Sequence, residues 1–169
     1  MRQANWFDRK FNFSTNDNIM PSIIERLAGT HLRVTDKIKN IEITKLTYQP
    51  DGKWSILEHI GHLSDLEPLW QGRLEDILNN EKELRNTDLD NKKTTRAGHN
   101  NKEPKDLVTT FADIRTETIN RLKSLTEADI FRSALHPRLK TPMRILDLFI
   151  FVADHDDHHL AKMTEILTY

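Results

Sequence analysis

Cysteine is absent from the 169 residues. That excludes a disulfide frame, a protein thiolate nucleophile and a Cys-based zinc site. Any metal must therefore be held by His and carboxylates. Glycine (5) and proline (6) are scarce, and no Gly-rich phosphate loop occurs. No apolar run approaches the ~20 residues a membrane span needs, and the mean hydropathy is -0.64, so no membrane partner is expected. Charge of one sign is also lacking: 25 Lys+Arg against 26 Asp+Glu give a net charge of -1. The basic excess of a nucleic-acid binder is missing. The opening MRQANWFDRKFNFS has no apolar h-region, so no secretory signal is read there and a cytoplasmic protein is the expectation. No internal repeat or low-complexity segment is seen.

What remains is a 19.8 kDa chain, 37% hydrophobic and 30% charged, enough for one domain over 1–169 with one sizeable core. Four long segments read as helices. The first, from about Asn18 to Ile41, carries Met20, Ile24, Leu27, His31, Val34, Ile38 and Ile41 at alternating spacings of four and three. Pro21 suits its first turn, and Asp17 or Asn18 its cap. The aromatic cluster Trp6, Phe7, Phe11 and Phe13 before it is expected to cover the bundle end or a subunit contact. Lys45 to Gln49 reads as extended, with no partner strand nearby.

The second helix opens on a capping box, Ser55 with Glu58. It carries Ile56, Ile60, Leu63, Trp70, Leu74 and Ile77 on one face, with a kink expected at Pro68. Asn79 to Pro104 is polar and aperiodic, a length that calls for a job as a lid, a short helix or a crossover. The third helix covers about Lys105 to Leu125, and Thr126 to Asp129 reads as the cap of a short turn. HPRLKTP reads as a loop, after which Thr141 is expected to cap the fourth helix with Pro142 at its first position. The expected fold is all-α: a four-helix bundle with a long crossover between helices 2 and 3.

Histidine is the unusual count, at 8. His155 and His159, four apart on the fourth helix, stack one turn apart and can bite one divalent cation. Roughly 0.3 such pairs would arise by chance at any one spacing, so the pair alone is weak. By helical-wheel angle both lie on a flank of the apolar stripe that faces a neighbouring helix, whereas His158 points further out. The plainer alternative is that they are rim histidines on a charged helix. On the second helix, His62 sits on the edge of the stripe and His59 inside it, so periodicity favours His59 as the inward residue and leaves the third ligand open. Glu58 is either the capping partner of Ser55 or a base. His31, centred in its stripe, reads as a buried histidine with a hydrogen-bond partner.

Lys53-Trp54-Ser55-Ile56-Leu57-Glu58-His59-Ile60-Gly61-His62-Leu63 resembles the second-helix signature of the DinB-like (DinB/YfiT-like) metalloenzyme family. Asp154-His155-Asp156-Asp157-His158-His159-Leu160-Ala161 resembles its fourth-helix signature. His136-Pro137-Arg138-Leu139 and Pro142-Met143-Arg144 are similar to one branch of it. The likeness runs from about Pro21 to Leu167. It implies metal ligands at His62, His155 and His159, selecting His62 over His59, and a zinc or nickel cofactor. It also implies a homodimer with a small-molecule substrate, among them low-molecular-weight thiols such as bacillithiol or mycothiol.

Three neutral imidazoles leave a divalent ion open to water or a thiolate. Glu58, one turn before His62, is the first candidate for a catalytic base, with Asp154, Asp156 and Asp157 behind it. The function expected is that of a metal-dependent enzyme, a hydrolase or a thiol S-transferase. The alternatives are a non-catalytic metal-binding or stress-response bundle and a structural dimer with incidental histidines.

Overall fold

In the computed structural model, which describes residues 3–168, the apolar stripes become helices. They are α1 (Met20–Ala28), α2 (Thr30–Ile38), α3 (Ile43–Leu46), α4 (Ile56–Leu78), α5 (Lys92–Arg96), α6 (Pro104–Lys123), α7 (Glu127–Ile130) and α8 (Ile145–Leu167). Two short strands, β1 (Ser133–Leu135) and β2 (Pro142–Arg144), precede α8. The α1–α2 pair and α4 each pack against both α6 and α8. This is a four-helix bundle in which α1–α2 and α4 face each other across the diagonal. Among the described residues no helix is long and apolar enough to cross a membrane.

The first helix, expected to be continuous, is interrupted for one residue at Gly29, a poor helix former. Its ladder survives, since Arg33 N–H still donates to Gly29 O. Asn18 Oδ1 accepts from Met20 N–H at its start. Asn40, in the left-handed region at φ 61°, lies just past its end. The stretch read as extended is instead partly helical: Ile43–Leu46 forms a single turn, α3. Pro68 lies inside α4 without ending it.

The start of the fourth helix is also corrected. Thr141 does not cap it. Pro142–Arg144 pairs antiparallel with Ser133–Leu135, Met143 opposite Ala134, and the helix begins at Ile145. Asp147 closes its first turn, accepting from Arg144 N–H. Both Ala134 and Met143 are buried, so the hairpin seals one end of the core.

The buried apolar residues fall into two clusters. One holds Leu27, Trp70, Ile119 and Val152, and the other Val34, Leu63, Phe111 and Leu160. Between them, one level on every bundle helix is polar: Thr30, Glu67, Arg115 and Asp156, all buried. Arg115 donates to Glu67 Oε1 at 2.6 Å and to Asp156 Oδ2 at 2.6 Å. Thr118 Oγ1 donates to Glu67, and Thr30 Oγ1 to Asp156.

Candidate metal centre

α4 and α8 pack face to face, and the flanks of their stripes meet beside the polar layer. There α4 brings His62 while α8 brings His155 and His159, all buried. Each offers one ring nitrogen, and these atoms lie within 4.8 Å of one another. The ring centroids are 4.4 Å apart for His155 and His159, 4.8 Å for His62 and His159, and 5.3 Å for His62 and His155. His159 Nε2 is 3.1 Å from His155 Nε2.

The surroundings fix the orientation of each ring. Thr94 Oγ1 donates its one proton to Asp65 Oδ2 at 2.9 Å, so it can only accept from His62 Nδ1 at 3.0 Å. The proton of His62 is therefore on Nδ1, and Nε2 carries the free lone pair. His99 Nε2, 2.8 Å from the same Asp65 oxygen, holds that carboxylate in place. Its Nδ1 faces the Lys102 ammonium at 3.4 Å, which places the His99 proton on Nε2. Behind His159, its Nδ1 is 2.8 Å from His59 Nδ1. When His159 donates there, its Nε2 is free for a ligand.

Burial keeps the rings neutral. It pushes His62 down to about 4, against the opposing charge of Asp65. It pushes His59 down to about 3, and His155 and His159 well below the usual histidine range, with the neighbouring imidazoles adding to the effect. Neutral, converging imidazoles have lone pairs to give. His155 Nδ1 is buried without a hydrogen-bond partner among the described residues. Three nitrogen donors of this kind suit a divalent transition-metal ion.

The group opens onto a cavity of about 680 Å³ whose lining includes Trp6, Trp54, Leu66, Trp70 and Phe151. Trp6 reaches it from the N-terminal segment, its ring 5.1 Å from His155 and 5.4 Å from His158. An Arg9–Asp154 ion pair at 2.8 Å ties that segment to α8. His158, expected to point outward, is instead buried, because the N-terminal segment folds over that face of the helix.

Glu58 is placed away from the three converging histidines. Its carboxylate accepts from Ser55 N–H and from Gln49 Nε2–H at 2.8 Å each, closing the capping box, and it does not line the cavity. Asp156 is the buried partner of Arg115, and Asp154 and Asp157 pair with Arg26 on the bundle flank. His31 is half-buried on α2 and outside the three-imidazole group.

Sequence reasoning missed Thr94, Asp65 and the support given by His59. Asp65, three residues after His62 and on its face, carried a signal; Thr94, in an aperiodic segment, carried none.

The DinB superfamily model matches residues 20–163. No curated protein matches. Among solved structures, YfiT from Bacillus subtilis superposes with a TM-score of 0.80 at 20% identity, over 94% of this chain and 91% of that one. That protein is described as a probable metal-dependent hydrolase with an unusual four-helix bundle topology. The family match spans all four bundle helices and includes His62, His155 and His159, so the chain belongs to the DinB superfamily.

Proposed function

We propose that this protein is a metal-dependent hydrolase of a small molecule, with a divalent ion, zinc or nickel, held by His62, His155 and His159. The observation that carries the reading is the convergence of three buried, neutral imidazoles on the wall of a large cavity. The description of YfiT points the same way. When bound, such an ion lowers the pKa of water toward ~7 and polarises a carbonyl oxygen.

The chain's own residues do the rest. Thr94 and Asp65 hold His62 in the tautomer that offers Nε2, and His59 Nδ1, 2.8 Å from His159 Nδ1, can accept the proton that leaves His159 Nε2 free. Three tryptophans line the cavity and offer apolar faces to a substrate. Glu58, occupied in its cap, receives no proton-transfer role in this reading.

A second reading, transfer of a low-molecular-weight thiol, is favoured by one observation. The chain has no cysteine, while the cavity has room for a thiol beside a second reactant.

The test begins with protein purified without a histidine tag and titrated with zinc and nickel. One ion per chain is expected. His155→Ala should lose the ion and turnover together while keeping its helical circular dichroism. Ester and amide hydrolysis, and thiol conjugation of electrophiles, are then screened on the loaded protein. An ion bound at full stoichiometry with no turnover in either class would support the non-catalytic metal-binding role instead.

A further inference from the structure

The same cavity is lined by a cation that makes no ion pair among the described residues. Arg73, on α4, is 2% exposed and lines the cavity. Its Nε donates to Arg85 O at 3.2 Å. Its Nη2 is buried with no hydrogen-bond partner among the described residues. Asp76, the acid whose charge it feels, is bound by Arg85 through two side-chain nitrogens and the backbone N–H. Arg85 and Arg138 add further positive charge around it.

The remaining nitrogen, Nη1, faces His136 Nε2 at 3.3 Å. This contact joins two donors. His136 Nδ1 accepts from Arg138 N–H and from Leu139 N–H, each at 3.1 Å, so it bears no proton. Burial and the neighbouring arginines push the ring down to about 4, so at neutral pH its single proton is on Nε2 and points toward the guanidinium. Arg73 Nη1, Arg73 Nη2 and the His136 Nε2–H thus share a corner in which no acceptor meets them among the described residues. Native structures rarely leave such groups unpaired.

We propose that Arg73 and His136 form the docking point for a carboxylate group of the substrate, whose reacting end lies at the three histidines. The inference rests on the hydrolase reading and narrows it to carboxylate-bearing substrates. Arg85 is neutralised by Asp76, and the flat guanidinium of Arg73 beside one imidazole N–H matches the two oxygens of a planar carboxylate better than the tetrahedral oxygens of a phosphate. The spacing also fits. The Trp70 ring lies 5.7 Å from Arg73 Cζ and 5.7 Å from the His155 ring, so it forms the wall between the two ends. A short molecule lying along that indole reaches both.

The full chain, with and without added zinc, is titrated with butyrate and with butanamide, its uncharged near-isostere, and followed by nitrogen-15 NMR. Butyrate should shift the Arg73 Nε–H and His136 ring signals saturably, with affinity about tenfold or more above that of butanamide. Arg73→Met should abolish that discrimination and leave zinc affinity unchanged. Equal binding of the two probes, or no saturable shift from butyrate, overturns the proposal; inorganic phosphate binding more tightly than butyrate overturns the carboxylate assignment. Should the Met variant fail to fold, the comparison of the two probes on the unaltered protein decides. Failure of zinc to bind the unaltered protein would sink the metal-enzyme reading and leave the butyrate result standing.

Discussion

A single hydroxyl decides which nitrogen His62 presents. Thr94 Oγ1 has one proton, given to Asp65, and its lone pairs face His62 Nδ1. Replacing Thr94 with Val keeps the shape but removes the acceptor, so His62 loses its preferred tautomer and Asp65 loses a donor. Zinc affinity should fall about 10–100-fold by calorimetry, with the melting curve close to that of the parent. An unchanged affinity would show that the hydroxyl does not set the ring. At this scale the sequence was partly legible. Two histidines four apart on a stripe flank declare themselves, but which of His59 and His62 joins them depends on a fraction of a turn. Periodicity placed His59 inward, and His59 is indeed buried, one hydrogen bond behind His159. Thr94 could not be read at all, because its relation to His62 exists only through tertiary contact.

Among the elements, the polar crossover between α4 and α6 proves to be part of the site's support. It supplies Thr94 from α5 and His99 from the turn that follows. It can lie so close because α4 has Gly61 there: a Cβ on Gly61 would sit 2.3 Å from the His99 ring. Gly61→Ala must push His99 off Asp65. The expected cost is about 1–3 kcal/mol of stability, read by urea unfolding, together with weaker zinc binding. A variant as stable as the parent would mean that the crossover moves freely.

The long helices were legible because their apolar residues repeat over five or six turns. The hairpin before α8 was not, since three-residue strands offer too few positions for a period of two to appear. Pro142 there satisfies the rule for a helix start equally well, and strand pairing with Ser133–Leu135 decides against it.

For the whole molecule, acid should be a potent destabiliser of the metal-free form. His59, His62, His136 and His158 are depressed to between about 3 and about 4, mainly by burial. The unfolded chain takes up these protons near pH 6.5, and the folded chain resists until far lower. Stability is therefore full above about pH 6.5 and declines as pH falls toward about 4, by up to about 1.4 kcal/mol per pH unit for each such ring. Urea midpoints should coincide at pH 7 and 8 and drop steeply at pH 5. Saturating zinc should move the decline to lower pH, whereas equal midpoints at pH 7 and 5 would contradict this account.

The polar layer gives a second prediction. Arg115→Met leaves Glu67 and Asp156 buried without their cation and should cost about 3–5 kcal/mol. Converting all three to Leu, Met and Leu should restore most of the melting temperature, but with poorer dispersion in the NMR spectrum. Glu67 and Asp156 fall at stripe spacings, 63–67–70 and 152–156–160, but spacing alone says nothing of Arg115 as their shared partner.

That layer has a consequence for assembly. Four helices with similar apolar stripes can be stacked in several orders, directions and vertical offsets, all burying comparable amounts of oil. Only an arrangement that brings positions 30, 67, 115 and 156 to one height lets a single guanidinium serve two carboxylates. An arrangement that parts them strands a charge in the interior, so removing the layer should let mis-stacked isomers compete, seen as extra peaks in the NMR spectrum of the variant with Leu, Met and Leu.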